Sequence, residues 1–218
     1  RATKGVYELG SVFKTFTVAA GLEEDLIDID TKFLDLPKTI YCAGKPIREY
    51  NNRIPSDLTV EQILIRSGNI GSVRIGQKIG EEKFKSFLKN LGILNQINFE
   101  IEEVGKPIKF KWGKCPLATA SFGHGITTTL LQLAKAYSIR KIVSTKEGTA
   151  SLANINGYEI GGKTGTAQKS IDGIYSRKKI NSFVSVFPTS KPKYVLAVML
   201  DEPKINKEYI YNYRDGSN

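Results

Sequence analysis

The chain has 218 residues, of which 40% are hydrophobic, and its 32 Lys and Arg against 22 Asp and Glu give a net charge of +10. This length and apolar content are enough for one domain with a buried core, which excludes a largely disordered chain. No segment reaches the about 18 to 20 consecutive apolar residues of a membrane span, and residues 1–4 do not begin a signal peptide, so we expect a soluble domain.

The basic residues are scattered along the chain rather than clustered. Their densest runs are 106–114 and 177–179, and elsewhere lysines stand beside acidic or apolar neighbours. Because a nucleic-acid site needs a concentrated basic face, we do not expect a nucleic-acid partner. A solvated surface, or attraction to anionic lipid, glycan or carboxylate groups, explains the charge better.

The two cysteines, Cys42 and Cys115, lie far apart in the sequence and have no C-x-x-C spacing and no neighbouring histidine. A zinc site is therefore not expected. The two can pair in an oxidising compartment or stay as separate buried thiols, and the sequence leaves both possibilities open.

The first predicted element is a buried helix over residues 12–22. This segment is nearly all apolar apart from Lys14 and its threonines, and it follows Ser11, whose hydroxyl suits a helix start. Residues 26–50 contain proline and glycine breakers, so we expect connecting structure there, with short extended pieces.

Three more helices are predicted in the middle of the chain. Thr59 and Gln62 have the spacing of a capping box, which opens a helix that stops before the turn at 67–69. Apolar residues at helical spacing then predict helices over 70–79 and 81–91.

A polar, proline-containing stretch, a glycine-rich loop at 121–125 and an amphipathic helix over 128–138 come next. The last third is rich in aromatic and β-branched residues, which predicts an antiparallel meander. Its strands are expected at 158–169, 180–187 and 194–200.

Helices come first and strands last, with an Asp172-Gly173 turn between the first two strands. This order predicts an α/β or layered α+β fold in which an antiparallel sheet packs on the helical half. We expect a single domain over 1–218, with its helical part at about 11–138 and its sheet part at about 155–202.

The only histidine, His124, lies between two glycines, where such a side chain is more often exposed than catalytic. A serine nucleophile in this chain therefore needs another base, and lysine can serve. The pKa of a lysine, normally about 10.4, must then fall by about three units, which takes about 4 kcal/mol of desolvation and repulsion by a second positive charge.

Ser-x-x-Lys places a serine and a lysine one helical turn apart on the same face, where they can exchange a proton. The chain contains five such pairs: Ser11-Lys14, Ser86-Lys89, Ser138-Lys141, Ser176-Lys179 and Ser190-Lys193. Only the first begins a predicted buried helix, whose apolar residues desolvate its lysine. The others lie, in order, on an amphipathic helix, at a helix end, in a basic loop and before a proline.

Two further motifs occur once each. Ser67-Gly68-Asn69 forms a turn in which a hydroxyl can relay a proton and an amide can bond to a peptide group, although such turns are common. Lys163-Thr164-Gly165-Thr166 falls in a predicted strand after two glycines, which indicate close approach of another backbone. An exposed edge there can pair with an extended peptide, bind a carboxylate and contribute an N–H group to an oxyanion hole.

Together the three motifs occur in the order described for penicillin-recognising serine enzymes. With YELGSVFK at 7–14, SFGHG at 121–125 and GGKTGTAQ at 161–168, the chain resembles the transpeptidase domain of class B penicillin-binding proteins over nearly its whole length. The division-specific members are the most similar. The resemblance implies a penicillin-binding or β-lactamase-like transpeptidase fold, with an antiparallel sheet packed with helices and a mainly helical subdomain.

The same resemblance implies a reaction through an acyl-enzyme. Ser11 would attack the penultimate D-Ala carbonyl of a peptidoglycan stem peptide, with Lys14 as its base. Ser67 would relay the proton to the leaving amine, and Asn69 would orient the substrate amide and help to hold Lys14. β-Lactam antibiotics imitate the D-Ala-D-Ala end and would acylate the same serine.

For the substrate carboxylate, the resemblance implies steering by Lys163, which also lowers the pKa of its neighbours, and binding by Thr164, Gly165 and Thr166. The N–H groups of Ser11 and Thr166 would form the oxyanion hole. An amine of a second stem peptide would then take the acyl group. No metal or cofactor is implied.

The family also implies a place in the bacterial inner membrane with a periplasmic catalytic domain, and a glycosyltransferase and divisome proteins as partners. Its members usually have a membrane anchor, an N-terminal module, an extra strand pair and a closing helix, which this sequence lacks. A few tens more residues usually separate 138 from 139, so we expect a family segment to be missing there, which makes Ser138-Lys141 an artefact. Leu9 replaces a usual proline, a change that affects only the turn before the helix.

Two other interpretations stay open. A D,D-carboxypeptidase or β-lactamase uses water in place of the amine, but the E-x-x-L-N element of class A β-lactamases is absent, with Leu91 where its Glu would precede Leu94-Asn95. A β-lactam sensor is acylated without forming crosslinks, and the three motifs do not separate it from an enzyme. The sequences at 7–14 and 121–125 favour the transpeptidase that forms crosslinks.

Overall fold

The computed structural model describes residues 3–50, 53–97, 104–139, 159–171 and 174–204. Helices come first and the main antiparallel sheet last, which confirms the predicted α/β class. The elements are β1 (Val6–Glu8), a 3-10 helix (Gly10–Phe13), α1 (Lys14–Glu23), β2 (Lys32–Phe33), β3 (Thr39–Cys42), β4 (Lys45–Arg48), β5 (Leu58–Thr59), α2 (Val60–Ile65), α3 (Asn69–Ile79), α4 (Glu81–Asn90), α5 (Lys114–Ala120), β6 (Thr127–Thr129), α6 (Leu130–Ile139), β7 (Gly161–Ile171), β8 (Ile174–Phe187) and β9 (Tyr194–Asp201). Within the described ranges, every helix is too short or too polar to cross a bilayer.

Helix α1 and the 3-10 turn before it are buried in the helical layer. Phe13 and Phe16 are fully buried, with ring centroids 5.3 Å apart in an edge-to-face contact. The helix predicted over 12–22 is therefore confirmed, but its start is different. The N-cap position belongs to Leu9, which makes no side-chain cap, so the prediction that the Ser11 hydroxyl opens the helix is wrong. Ser11 lies inside the 3-10 turn instead.

Strands β3 and β4 form an antiparallel hairpin that is tied covalently to helix α5. Cys42, the last residue of β3, forms a disulfide with Cys115 in the first turn of α5, and their Cα atoms are 5.5 Å apart. Of the two possibilities that the sequence left open, the structure has the paired cysteines. The expected connecting region at 26–50 thus contains an anchored hairpin.

Helices α2, α3 and α4 lie within one residue of their predicted limits. The Thr59 hydroxyl accepts from the Gln62 N–H while the Gln62 side chain accepts from the Thr59 N–H, which confirms the capping box. Helix α3 begins at Asn69, directly after the turn that ends α2. This short connection is what brings the Ser67-Gly68-Asn69 turn next to α1.

Two elements in the stretch before α6 are absent from the predictions. Helix α5 lies in the stretch described from the sequence only as polar and proline-containing, and its Pro116 costs no hydrogen bond because it lies in the first turn of the helix. Strand β6 takes the first residues of the helix predicted over 128–138 and pairs with β1, with Val6 opposite Thr129. Helix α6 then begins after Thr129, which forms a capping box with Gln132.

Strands β7, β8 and β9 form an antiparallel sheet in that order, which confirms the predicted meander. Val184 and Val186 on β8 are buried in the same core as Val12 and Phe13, so the sheet packs on the helical layer. Strand β7 is an edge strand of this sheet. It packs against the 3-10 turn.

Two details of the sheet predictions need comment. Ser176 and Lys179 lie on β8 and not in a loop, because the strand begins earlier, at Ile174, than the sequence suggested. The predicted turn at 172–173 and the first residue of the strand predicted from 158 lie outside the described residues, as does Lys141 of the Ser138-Lys141 pair.

Candidate active site

Ser11 and Lys14 meet at the junction of the 3-10 turn and α1, as their one-turn spacing requires. The Lys14 ammonium nitrogen donates to the Ser11 hydroxyl at 2.9 Å, to the Ser67 hydroxyl at 3.1 Å and to the Ser67 carbonyl oxygen at 2.6 Å. Lys14 is completely buried, whereas Ser11 is partly exposed to the cleft. The three protons of a lysine ammonium group thus have three acceptors, two of them on one residue.

The surroundings of Lys14 favour its neutral form. Burial first, and the positive charge of Lys163 second, hold the pKa of Lys14 well below its usual value, while the negative charge of Glu49 raises it in part. A neutral lysine amine has a lone pair that can take the proton of the hydroxyl beside it. Ser11 and Lys14 can therefore act as a nucleophile and its base.

Ser67 is held by the way helix α2 ends. The Ser67 N–H donates to the Leu64 carbonyl and the Gly68 N–H donates to the Ile63 carbonyl, which are the two bonds of a Schellman motif. Ser67 takes the position that is usually glycine and has a φ of 55°. This left-handed conformation costs a non-glycine residue about 1–3 kcal/mol, so the surroundings must hold it. The result is that both oxygens of Ser67 lie against Lys14.

Lys163 approaches the same serine from strand β7. Its nitrogen donates to the Ser67 hydroxyl at 3.0 Å and to the Thr164 carbonyl at 3.1 Å. Only 6% of Lys163 is exposed, and burial lowers its pKa to about 8. The structure thus brings the lysines of two separate motifs to one hydroxyl.

Asn69 lies in the cleft but is held differently from the expectation. Its side-chain amide donates to the Arg48 carbonyl at 2.8 Å, and its N–H donates to the Glu49 carboxylate at 2.6 Å. The expected hydrogen bond from Asn69 to Lys14 is not among those of the described residues, where Ser67 holds Lys14. Asn69 still lines the cleft, where it can orient a substrate amide.

Two glycines allow strand β7 to cross the turn that carries Ser11. Gly10 has a φ of 56°, and a Cβ atom there would come within 2.8 Å of the Thr166 carbonyl carbon. A Cβ atom at Gly165 would come within 2.9 Å of both Val12 and Ser182. Backbone therefore packs against backbone at this crossing. A close backbone approach was expected from the sequence at the two glycines before Lys163, whereas this crossing is at Gly165, and it places Thr166 beside the turn of Ser11.

These elements enclose one side of a cleft of about 420 Å³, a volume suited to a small ligand or a peptide end. Six of the predicted site residues line it: Ser11, Ser67, Asn69, Thr164, Gly165 and Thr166. Lys14 and Lys163 lie buried behind this lining. The hydroxyl oxygen of Thr166 is buried and has no hydrogen-bond partner within the described ranges, so it can bond to a ligand.

The rim of the cleft contains a group of residues that the sequence did not bring together. The ring of His124 stacks on that of Tyr175 at 4.7 Å, and the Tyr175 hydroxyl donates to Glu8 at 2.8 Å. Burial and the hydrogen bond to Glu8 raise the pKa of Tyr175 above its usual value. His124 itself is 43% exposed in its side chain and lines the cleft, with Glu8 3.7 Å away. Only the position of His124 in a glycine-rich loop pointed to this rim.

The Ser-x-x-Lys pairs at 86–89, 176–179 and 190–193 are more exposed than Ser11-Lys14. Ser86 and Lys89 are both exposed on α4, as expected for an amphipathic helix. Within the described residues, no group of three or more His, Cys, Asp or Glu side chains is arranged to bind a metal ion. The chemistry available at the cleft is that of a serine, two lysines and hydroxyl groups, which suits acyl transfer.

The family model described as "Penicillin binding protein transpeptidase domain" matches residues 1–141 and 138–216. The chain belongs to this family of penicillin-binding protein transpeptidase domains. It is 28% identical over 254 aligned residues to a Caulobacter vibrioides protein named "Probable peptidoglycan D,D-transpeptidase FtsI", covering 94% of this chain and 43% of the relative. The chain thus spans less than half the length of that protein.

Solved structures show the same fold. The transpeptidase domain of Burkholderia pseudomallei penicillin-binding protein 3 superposes with a TM-score of 0.83 at 25% identity, covering 93% of this chain and 73% of that one. Penicillin-binding protein 3 of Mycobacterium tuberculosis, solved in complex with aztreonam, gives a TM-score of 0.81 at 21% identity, covering 93% of this chain and 58% of that one. The predicted penicillin-binding transpeptidase fold is confirmed by these likenesses.

Proposed function

We propose that this chain is the catalytic domain of a peptidoglycan D,D-transpeptidase that forms crosslinks in septal cell-wall synthesis and is inhibited by covalent β-lactam binding. The observation that carries the proposal is the fully buried Lys14, whose amine lies 2.9 Å from the Ser11 hydroxyl and whose pKa is held well below its usual value. Because burial and repulsion favour the neutral amine, Lys14 can serve as the base that a serine nucleophile requires.

Acylation begins when Lys14 takes the hydroxyl proton of Ser11 and the serine oxygen attacks the penultimate D-Ala carbonyl of a stem peptide. The peptide C–N bond then breaks, and the proton passes from Lys14 through the Ser67 hydroxyl to the leaving nitrogen. The distance of 3.1 Å between the Lys14 nitrogen and the Ser67 oxygen supports this relay. The products are an ester on Ser11 and one free D-Ala.

The donor peptide is held at the β7 side of the cleft. Lys163 steers its terminal carboxylate, and Thr164 and Thr166 bind it, for which the unpaired, buried Thr166 hydroxyl is suited. Gly165 contributes by keeping β7 close to the nucleophile. The N–H groups of Ser11 and Thr166 stabilise the oxyanion of the tetrahedral intermediate, each worth about 3 to 4 kcal/mol. Asn69 orients the amide of the donor.

Deacylation transfers the donor to an amine of a second stem peptide. The amine nitrogen attacks the Ser11 ester, a new amide bond forms, and the proton that the amine loses returns to the serine oxygen through Lys14. Water in place of the amine gives carboxypeptidase or β-lactamase activity instead. β-Lactams acylate Ser11 by opening their ring C–N bond, and because their leaving nitrogen stays attached, it obstructs the second step.

We propose further that the domain works in the periplasm, in a protein anchored in the bacterial inner membrane, with a glycosyltransferase and divisome proteins as partners. The disulfide between Cys42 and Cys115 supports an oxidising compartment of this kind. The similarity of the sequences at 7–14, 121–125 and 161–168 to those of division-specific family members supports the choice of partners.

A labelled penicillin tests the nucleophile. Intact mass should show one adduct on the wild-type chain and on Ser86→Ala, the serine of the exposed Ser-x-x-Lys pair, and none on Ser11→Ala. Lys14→Ala should slow labelling by at least about 10²-fold, the usual cost of a lost acid-base group. An adduct on Ser11→Ala would disprove the assignment.

A stem-peptide donor with and without an amine acceptor tests the reaction. With the acceptor, we expect an amide-linked dimer to form as D-Ala is released. Release of D-Ala with only hydrolysed donor would favour the carboxypeptidase, and labelling by penicillin without any D-Ala release would favour the sensor.

A further inference from the structure

Glu49 directly follows β4 and caps a helix that has no capping side chain of its own. Its two carboxylate oxygens accept from the N–H groups of Asn69 at 2.6 Å and Ile70 at 2.9 Å. The N-cap residue of α3 is Gly68, which makes no side-chain cap. Glu49 therefore does the work of a capping residue from another part of the chain, and its negative charge faces the positive end of the α3 dipole.

The residue before Glu49 holds the same turn. The Arg48 carbonyl accepts from the Asn69 side-chain amide at 2.8 Å, so the end of β4 bonds to both the main chain and the side chain of Asn69. Ser67, which lies two residues before Asn69, has a left-handed φ of 55°. A strained residue keeps its conformation only when its neighbours fix it, and these bonds fix the end of the turn.

The turn matters because Ser67 supplies two of the three hydrogen-bond acceptors of Lys14. Glu49 also acts on Lys14 by charge. Two charged groups affect this lysine in opposite directions, Lys163 by repelling its cation and Glu49 by stabilising it. Glu49 thus affects Lys14 in two ways, through the position of Ser67 and through its own negative charge.

We propose that Glu49 is a positioning residue for the reaction, which holds the Ser67 turn against Lys14 and supplies the negative charge that offsets Lys163. This inference rests on the proposed function, since it is observed through acylation of Ser11. Glu49 itself touches no reacting atom.

Glu49→Gln tests both effects, which have different readouts, because it keeps the size of the side chain but removes the charge and one of the two acceptor oxygens. Without the charge, the pKa of Lys14 falls further, the neutral base persists to lower pH, and the acid limb of the acylation rate moves to lower pH. With one acceptor fewer at the start of α3, the turn is held less firmly and the plateau rate falls at least about tenfold. A catalytic group displaced by about 1 Å loses up to about 10²-fold.

The test is the rate of acylation by a fluorescent penicillin, measured from about pH 5 to about pH 9, where a single essential base gives a resolved limb. The matched control is Glu82→Gln, which removes an exposed carboxylate from the first turn of α4, away from the cleft. We expect wild-type behaviour from the control and both changes from Glu49→Gln. An acid limb at the wild-type pH would overturn the proposal, because Glu49 would then only support the fold.

Glu49→Asp covers the case in which the glutamine variant does not fold, which circular dichroism would show. Aspartate keeps the charge on a shorter side chain, so we expect an unchanged acid limb with a reduced plateau. A wild-type plateau for Glu49→Asp would overturn the positioning role. Failure of the proposed function looks different, because the wild-type chain itself would then remain unlabelled at Ser11.

Discussion

The Ser67 hydroxyl accepts hydrogen bonds from two lysines, Lys14 at 3.1 Å and Lys163 at 3.0 Å. Burial lowers the pKa of both, and the charge of Lys163 lowers that of Lys14 further. Lys163 keeps its proton until about pH 8, so its positive charge acts on Lys14 at neutral pH. In the proposed reaction, the protonation state that makes Ser11 reactive would therefore depend on both lysines and on the hydroxyl between them.

Removal of the Lys163 charge should move the pH dependence of acylation in the direction opposite to that of Glu49→Gln. In Lys163→Met the repulsion on Lys14 is gone, so the pKa of Lys14 rises and the acid limb shifts to higher pH. The rate at about pH 7 should fall at least about 10²-fold, because Ser67 also loses a hydrogen bond. Stopped-flow labelling across pH measures both, and an acid limb at or below the wild-type position would contradict the two-lysine arrangement.

Lys163 should also make stability depend on pH. Its folded-state pKa of about 8 lies below the ordinary 10.5, so between these values the unfolded chain binds a proton that the folded chain has released. Stability therefore rises from about pH 8 to about 10.5, and below that range the buried cation costs about 3 kcal/mol. Urea unfolding should show a smaller gain in stability from about pH 7 to about pH 10 for Lys163→Met than for the wild type.

Lys191→Met, which replaces an exposed lysine, is the control for this comparison. Its stability should match that of the wild type at both pH values. An equal gain in Lys163→Met and in the wild type would show that Lys163 is not the group responsible.

Gly10→Ala should disrupt the contact between the nucleophile turn and β7. The added Cβ would come within 2.8 Å of the Thr166 carbonyl carbon, so the strand must move. Gly44→Ala is the matched control, since Gly44 also has a positive φ, 75° against 56°, but nothing lies within 4 Å of its Cβ. Both variants should lose about 1 kcal/mol of stability from backbone strain, and only Gly10→Ala should also lose most of its acylation rate. Equal rates would contradict the close crossing.

Replacing both cysteines by serine should lower stability. The disulfide links residues separated by 73 positions, and loss of such a crosslink costs about 2–5 kcal/mol. We expect the double variant to unfold at lower urea concentration and to be unaffected by dithiothreitol, whereas the wild type should fall to the level of the variant when reduced. A wild-type chain insensitive to reduction would show that the bond contributes little.

Local rules predict much of this molecule. The contact of Ser11 with Lys14 follows from a one-turn spacing, and the capping box of Thr59 follows from a pattern three residues apart. The three motifs were assigned to one site by their resemblance to a family, and the catalytic roles of their residues remain predictions.

The contacts that the sequence did not predict are those between distant segments. No periodicity links Glu49 to the start of α3, and the pairing of β1 with β6 joins two three-residue strands too short to have a pattern. The hydrogen bond from the Asn69 amide to the Arg48 carbonyl of the hairpin is of the same kind, since no local pattern links these two residues. Tertiary neighbours, which local propensity does not encode, decide these cases.

The crossing of β7 over the Ser11 turn limits how this site can change under selection by inhibitors. Gly10 and Gly165 pack against backbone, so no side chain can be introduced at either position without moving the strand. Sequence variation that alters which ligand fits must therefore come from the border of the cleft, where the side chains of Tyr50, Phe122 and Gln168 are located. Substitutions that give resistance to a drug at this site should therefore occur at the border of the cleft, while Gly10 and Gly165 stay unchanged.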